Sequence, residues 1–261
     1  MFEVGGLAPM GTVVAAIFLF AGFVKGFTGL GFITLATVPL VLLFDVPTAI
    51  ALVFVSSVIS NAQVMLDAGD FTAVSRRFWP LYASAIPGLL LGMLALAFAS
   101  QQIVSGVLGV LLVGYALLGM MRPELRLSGH LCRVLQVPVG VLHGVFAGLT
   151  GTQVMPLLPY LLSLGLKPHE VLQASNTMFT ICGVVLVCLL WVQGLFTMSL
   201  ATASLLCLLP TTVGVVAGCR ARLTISAEQF KPAVLTVLLM LGLVLIHRAS
   251  TPGQTLLAFY P

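Results

Sequence analysis

The apolar run over residues 10–44 is too long for one straight membrane helix and is interrupted near its centre. It holds 35 residues, whereas a helix needs about 20 to cross the bilayer hydrocarbon at about 1.5 Å per residue. The interruption is Lys25-Gly26-Phe27-Thr28-Gly29-Leu30-Gly31. Irregular backbone at this depth must be buried in protein or line a watery cavity. The run therefore predicts a broken helix of the kind that forms transport sites.

A second interrupted run lies in the other half of the chain. Residues 135–164 are broken by His143-Gly144-Val145-Phe146-Ala147-Gly148-Leu149-Thr150-Gly151, and His143-Gly144 is the expected counterpart of Lys25-Gly26. Three pairs of residues recur in the same order 120 or 121 positions apart: Gly31 with Gly151, Pro39 with Pro159, and Pro47 with Pro168. The order predicts a duplication, with a first transmembrane repeat over 1–121, a cytoplasmic linker over 122–133 and a second transmembrane repeat over 134–261.

Composition fixes the class of protein. The chain is 60% hydrophobic and 7% charged, against about 25% charged residues in a soluble domain. Its apolar runs do not alternate with polar residues, as barrel strands would. The net charge of +4 comes from basic residues scattered between the runs, so it does not predict nucleic-acid binding. We expect an all-α, polytopic, multi-pass protein of the plasma (inner) membrane.

The lengths of the apolar segments predict the architecture of each repeat. Six segments of about 18–22 residues are long enough to span. Four shorter segments flank the two breaks: Met10–Val24, Ile33–Phe44, Val134–Ala147 and Gln153–Leu164. Each repeat is therefore predicted to contain one broken or re-entrant helical pair and three full transmembrane helices.

The distribution of Lys and Arg tests how the short pairs cross the membrane. If each pair is a hairpin that returns to its own side, nine basic residues lie on one side and only Arg248 on the other. If each pair crosses once, the split is six to four. The positive-inside rule favours the hairpin. Three full spans per half then make the repeats inverted, and both termini are expected outside.

Lys25 is the strongest candidate for a functional residue. A charge at mid-membrane costs about 2.5–3.5 kcal/mol even on insertion scales, and an anion is the obvious partner that would offset this cost. The alternative is a lysine that snorkels from a helix end. His143, at the matching place, would assist anion binding or carry a proton; the alternative is a packed core histidine.

Further candidates for substrate binding surround the two breaks. Helix N-termini after a break offer free N–H groups and a positive dipole end to an anion, although a plain helix cap is the alternative. Polar patches in the following spans are either a cavity wall or contacts between helices. The candidates are Thr28, Gly29 and Gly31; Thr150, Gly151, Thr152 and Gln153; and Ser57, Asn61, Ser175 and Asn176. We expect both breaks to face one shared cavity.

No catalytic, cofactor or metal site is predicted. The sequence has no G-x-S-x-G and no H-E-x-x-H, which are signatures of hydrolases and zinc proteases. None of the five cysteines forms a C-x-x-C pair, so they are interpreted as small buried residues.

The duplicated pattern resembles the sulfite exporter TauE/SafE family of membrane permeases. The resemblance rests on the Lys25–Gly31 break followed by Pro39 and Pro47, and on the second copy with Pro159, Pro168 and Ala174-Ser175-Asn176. It covers about residues 10–248. It implies export or uptake of sulfite, organosulfonates or related small anions. Members of the family are often described with about eight spans, against the six full spans expected above.

The sequence therefore predicts a secondary transporter that moves a small anion by alternating access. The alternatives are an anion channel and a membrane assembly or electron-transfer scaffold; an intramembrane hydrolase is disfavoured because no nucleophile with a placed base is found. The expected partners are a small inorganic or organic anion and the lipid bilayer. A coupling ion, proton or sodium, and an oligomer both stay open.

Overall fold

The fold is that of a computed structural model, which describes residues 4–121, 127, 129–221, 223–224 and 227–251. Every regular element in these ranges is helical. In chain order the helices are α1 Val4–Thr28, α2 Phe32–Val41, α3 Val46–Ala68, α4 Phe71–Phe98, α5 Gln101–Met121, α6 Gly129–Val134, α7 Gln136–Thr150, α8 Leu157–Ser163, α9 Pro168–Val192, α10 Met198–Leu206, α11 Leu208–Ala221 and α12 Ala227–Ser250.

Eight helical stretches of the described chain are long and apolar enough to cross a membrane, which corrects the expected six. The first segment of each broken pair is longer than its apolar residues indicated. Helix α1 continues through Lys25 and Gly26 to Thr28, and the second stretch runs from His130 to Thr150. The second members are short as predicted, with 10 residues in α2 and 7 in α8.

Proline explains why two of the spans are each divided into two helices. Helix α6 ends at Val134 and helix α10 at Leu206, four residues before Pro138 and Pro210 respectively. A proline ring clashes with the carbonyl four residues earlier and removes a backbone donor. Each pair still forms one apolar stretch, so the interruption does not change the number of crossings.

The two breaks have the same local construction. Each begins with a glycine in the left-handed region, Gly29 at φ 76° and Gly151 at φ 73°, a conformation that glycine adopts without steric cost. A threonine precedes each glycine and donates to a carbonyl four residues back, Thr28 to Val24 and Thr150 to Phe146, both near 2.8 Å. The helices therefore end at these threonines, and the chain turns back.

Glycines let two pairs of helices pack with their backbones in contact. Helix α1 runs parallel to α11, and helix α4 runs parallel to α7. A Cβ on Gly26 would lie 2.1 Å from the carbonyl oxygen of Val215, and one on Gly144 would lie 2.1 Å from that of Ala85. Because lipid gives no hydrophobic drive for helix association, the van der Waals contacts of these closely packed backbones hold the helices together.

The packing shows which residues of α1 and α7 occupy equivalent places. Where α11 packs on α1, Gly214 contacts Leu19 and Gly218 contacts Phe23. Where α4 packs on α7, Gly88 contacts Val141 and Gly92 contacts Val145. The matching residues of α1 and α7 are therefore 122 positions apart. Lys25 corresponds to Ala147, and His143 corresponds to Ala21. The prediction that His143 matches Lys25 is wrong, because the short glycine pattern allowed a register shifted by one turn.

The remaining contacts fix the directions of the spans. Helix α3 packs antiparallel to α9, with Phe54 beside Gly183 and Met65 beside Thr180, and α5 packs antiparallel to α12. Ser204 of α10 donates to the carbonyl of Leu52 at 2.7 Å, which joins the second half to the start of α3. Helices α1, α3, α5, α10 and α11 therefore point one way, and α4, α7, α9 and α12 point the other way.

One end of the bundle carries most of the described basic side chains. This basic end is formed by the C-terminal ends of α3, α5 and α11 and the N-terminal ends of α4, α6, α9 and α12. Helix α1 begins and α12 ends at the opposite end, where Arg248 donates to the carbonyl of Leu42 at 3.5 Å. The directions agree with the hairpin arrangement, since α1 and α3 are parallel and α2 returns between them.

The predicted linker over 122–133 is only partly described. Residues 122–126 and 128 lie outside the described residues, while Gly129 to Arg133 form most of α6. The last ten residues assigned to the second repeat, 252–261, also lie outside them.

Candidate functional site

Three helices meet at the ammonium group of Lys25. Lys25 lies in the last turn of α1 and is only 2% exposed. Its Nζ donates to Oδ1 of Asn61 on α3 at 2.6 Å and to Oδ1 of Asn176 on α9. An ammonium carries three donors, so these contacts leave one for a ligand. The interface between α3 and α9 thus fixes the position of the charge, and the lysine does not snorkel to an interface.

The two asparagines bind Lys25 through their oxygens and use their N–H groups elsewhere. Nδ2 of Asn176 donates to the carbonyls of Leu172 at 2.8 Å and Gly29 at 3.3 Å. Nδ2 of Asn61 donates to Oγ of Ser57 at 3.4 Å. Both amides thus face the cation as acceptors, and their N–H groups donate to other atoms of the protein. Their role in this arrangement is to hold the ammonium and the Gly29 backbone in place.

Lys25 forms part of the wall of a cavity of about 690 Å³ that reaches the basic end. This cavity is called the Lys25 cavity below. Its deep part contains Lys25, Gly29 and Ser60, and its outer part contains the exposed Asp67 and the half-buried His169. The other lining residues are Gly26, Gln63, Val64, Leu66, Ala68, Pro168, Leu172, Val215 and Cys219. An ion entering from the basic end therefore meets polar side chains before it reaches the lysine.

A second cavity lies on the other side of the first break and is mostly apolar. It has a volume of about 430 Å³ and is lined by Thr28, Gly31 and Thr34 of the first half and by Val154 and Leu158 of the second. The N-terminus of α2, with Gly31 as its cap, thus lies at this cavity and not at the Lys25 cavity. The structure does not bring Lys25 and the α2 N-terminus together around one ligand.

A third cavity lies at the second break. It encloses about 20 Å³ and is lined by Ser57, Gly151 and Gln153, together with Thr37 of α2. It shares no lining residue with the Lys25 cavity. The prediction that both breaks face one shared cavity is therefore wrong. Helices α3 and α9 cross antiparallel, and Gly29 packs near Leu172 while Gly151 packs near Ile50, which lie toward opposite ends of the bundle.

Comparison with known protein families identifies the chain. The sequence model of the sulfite exporter TauE/SafE family matches residues 14–245, nearly the whole chain. The chain belongs to the sulfite exporter TauE/SafE family. Neither a curated protein nor a solved structure gives a significant match. This TauE/SafE protein is thus a multi-pass membrane protein of a transporter family, placed in the plasma membrane, and the family consists of transporters and not enzymes.

The other predicted residues of this TauE/SafE protein differ in whether their polar groups are paired. Thr150 and Thr152 share a hydrogen bond of 2.9 Å, and Ser175 donates to the carbonyl of Val171 at 2.7 Å. His143 is fully buried and stacks on Phe179, with 6.4 Å between ring centroids, and neither ring nitrogen has a hydrogen-bond partner among the described residues. None of these side chains lines any of the three cavities, which favours the interpretation of His143 as a packed core residue.

Sequence reasoning missed several residues of the Lys25 cavity. Ser60 and Gln63 had a signal, because they lie three residues apart in the polar patch of α3 and so face the same side of the helix. No sequence pattern pointed to His169 or Cys219, since each is a single polar residue near a span end. Only the packing of α3, α9 and α11 around α1 brings them to the cavity.

Proposed function

We propose that this TauE/SafE-family protein is a secondary transporter of a small anion, with sulfite, an organosulfonate or a related sulfur oxyanion as substrate. Lys25 is the anion-binding cation in this proposal. The observation that carries it is the ammonium of Lys25, held between Asn61 and Asn176 in the wall of the 690 Å³ cavity. A buried cation without a counter-charge is costly, and a bound anion offsets that cost.

The surroundings of Lys25 support an anionic ligand over a structural ion pair. The ion pairs found in the described residues join Arg77 to Glu170 at 3.8 Å and His169 to Asp70 at 3.4 Å, and neither includes Lys25. Two amide oxygens stabilise an ammonium by hydrogen bonding but leave its net charge of one unchanged. Burying an unpaired charge costs several kcal/mol, so a ligand oxyanion is the partner that would complete the site.

Other groups of the Lys25 cavity fit an oxyanion as well. Ser60 and Gln63 bring a hydroxyl and an amide to the cavity wall, and both groups can donate to oxygen. The volume exceeds what one sulfite or sulfate needs, which leaves room for water or for the organic part of a sulfonate. We propose that Lys25 supplies attraction and that these neutral donors supply selectivity for pyramidal or tetrahedral anions.

Alternating access around this site is the mechanism we propose. The cavity extends from Lys25 to residues at the basic end, and its described lining includes no residue near the opposite end. The two halves of the chain show the same main helix pairings. The equivalent helices are α1 and α7, α3 and α9, α4 and α10–α11, and α5 and α12. This supports inverted repeats, the architecture in which one half rocks against the other to move an opening between two sides.

Flux into proteoliposomes tests the proposed function. Radiolabelled sulfite, sulfate and an alkyl sulfonate are offered to vesicles that contain the purified protein, with and without unlabelled anion inside. A transporter is expected to give saturable uptake that unlabelled internal substrate accelerates. Unsaturable uptake with no such acceleration would instead favour a channel. Uptake of all three anions at the rate of empty vesicles would contradict the proposal.

A further inference from the structure

Two residues that line the third cavity, between α2, α3, α9 and the second break, carry unpaired buried oxygen atoms. Among the described residues, Oγ1 of Thr37 and Oε1 of Gln153 have no hydrogen-bond partner, although the side chains are only 1% and 2% exposed. Both side chains line the cavity of about 20 Å³, together with Ser57. Buried polar groups are almost always paired. An amide oxygen accepts only, so Gln153 requires a donor or a cation.

The end of helix α7 adds a negative potential to the same cavity. Helix α7 ends at Thr150, its cap Gly151 lines the cavity, and a helix C-terminus carries roughly half a negative charge. Helix α1 has Lys25 in its last turn, whereas α7 has no basic residue there. Ala147 occupies the position of α7 that corresponds to Lys25. The second half therefore lacks the fixed cation that balances the first.

We propose that the third cavity binds a dehydrated monovalent cation, with Na⁺ as the best fit. The volume of about 20 Å³ exceeds the roughly 10–15 Å³ that one water-sized particle needs. It admits a single small ion but no hydrated one. The available atoms are hard oxygens of hydroxyl, amide and backbone groups, which suit alkali cations and not thiol-seeking metals. The bound ion places a positive charge at the C-terminal end of α7, as Lys25 does at the C-terminal end of α1.

A hydrogen-bonded chain joins this cation site to Lys25. Oγ of Ser57, which lines the third cavity, accepts from Nδ2 of Asn61, and Oδ1 of Asn61 accepts from Lys25. A cation that draws on the lone pairs of Ser57 thus acts on a residue that positions the ammonium. This link gives a physical route for coupling between the two sites. The coupling rests on the proposed anion function, whereas cation binding itself does not.

Thermal unfolding in detergent, without any substrate anion, tests the cation site. The full-length protein is titrated with NaCl, KCl or N-methylglucamine chloride at constant ionic strength, and unfolding is followed by the fluorescence of its two tryptophans. A ligand that binds only the folded state raises the Tm in a saturable way. We expect Na⁺ to raise the Tm by roughly 3–6 °C at high occupancy. An equal response to all three salts would overturn the proposal.

Matched variants separate this site from general salt effects. Thr37→Val and Gln153→Leu each remove one unpaired oxygen and should abolish the Na⁺-specific rise. Thr211→Val and Gln136→Leu remove a buried hydroxyl and a buried amide of residues that do not line the cavity, and both variants should keep the Na⁺-specific rise. Thr37→Ser, which keeps the hydroxyl, should keep it too. A Na⁺-specific rise that persists in Thr37→Val and in Gln153→Leu would refute the site, whatever the outcome of anion flux.

Discussion

Among single residues of the described chain, Lys25 is the one whose charge is kept inside the membrane-spanning bundle. The ammonium of Lys25 is oriented by neutral acceptors, Asn61 and Asn176, and not by a carboxylate. A carboxylate would neutralise the charge permanently and remove the reason for an anion to bind. Neutral amides hold the group in place and leave its charge available to a ligand.

Asn176→Asp tests this distinction, because it changes one amide to a carboxylate of nearly the same shape. The new internal ion pair is expected to occupy the ammonium, so anion flux should fall roughly 10-fold or more while the protein still folds. The measurement is uptake at equal reconstituted protein. Thr180→Val, which removes a hydroxyl bonded to the Asn176 carbonyl, is the control and should transport normally. Flux of Asn176→Asp equal to that of the wild type would show that the charge of Lys25 is not used.

At the scale of helices, glycine contacts decide how the two halves pack. The pairs α1 with α11 and α4 with α7 each bring a row of glycines against the partner backbone. Carbonyl oxygens lie so close to these glycines that a methyl group would overlap them. The position of the last turn of α1, and with it Lys25, therefore depends on the fit of α1 against α11.

Gly144→Ala is predicted to destabilise the protein by about 1–3 kcal/mol or more, as over-packing does. The added methyl would lie 2.1 Å from the Ala85 carbonyl oxygen, on backbone that cannot move away easily. The check is the Tm in detergent. Gly114→Ala is the matched control, because nothing lies within 4 Å of its added methyl, and its Tm should be unchanged or slightly higher. Equal Tm values for the two variants would contradict the packing described here.

The sequence predicted the helical membrane class, the two breaks and the short second helices, because apolar length and glycine position are local properties. It did not predict which residue of the second half is equivalent to Lys25. That register is set by the packing of α1 on α11 and of α7 on α4, and residues far apart in the chain determine it. The orientation of Asn61 and Asn176 is not a local property either, since the cation between them decides which end of each amide faces the site.

At the scale of the whole molecule, the directions of the spans give the protein two distinct ends. Most of the described basic residues and the outer part of the Lys25 cavity lie at one end, while α1 begins and α12 ends at the other, next to Arg248. From the positive-inside rule we predict that the basic end is cytoplasmic. On that orientation, the Lys25 cavity opens to the cytoplasm in this structure.

Reporter fusions test this orientation directly. A reporter fused after Ser250 should be active outside the cytoplasm, because α12 ends opposite the basic end. A fusion in the loop at Gly69, at the basic end, serves as the matched control and should be active in the cytoplasm. The reverse pattern would invert the assignment of the two ends.

Labelling of Cys219 tests the direction in which the cavity opens. Cys219 is exposed in the wall of the Lys25 cavity, and its Sγ lies 3.4 Å from the carbonyl oxygen of Gly26. We expect a membrane-impermeant thiol reagent applied from the cytoplasmic side to modify Cys219 and block flux, and a substrate anion to slow the reaction. Cys219→Ser should be insensitive. Modification only from the opposite side would contradict the described opening.

Anion flux through Lys25 variants is the most direct test of the central claim that a buried ammonium binds the transported ion. Lys25→Ala and Lys25→Arg are reconstituted beside the wild type, with folding checked by Tm. We expect Lys25→Ala to lower uptake roughly 30-fold or more. Lys25→Arg should be partly active, because a planar guanidinium keeps the charge but not its shape or hydration. Wild-type flux in a well-folded Lys25→Ala protein would contradict the account.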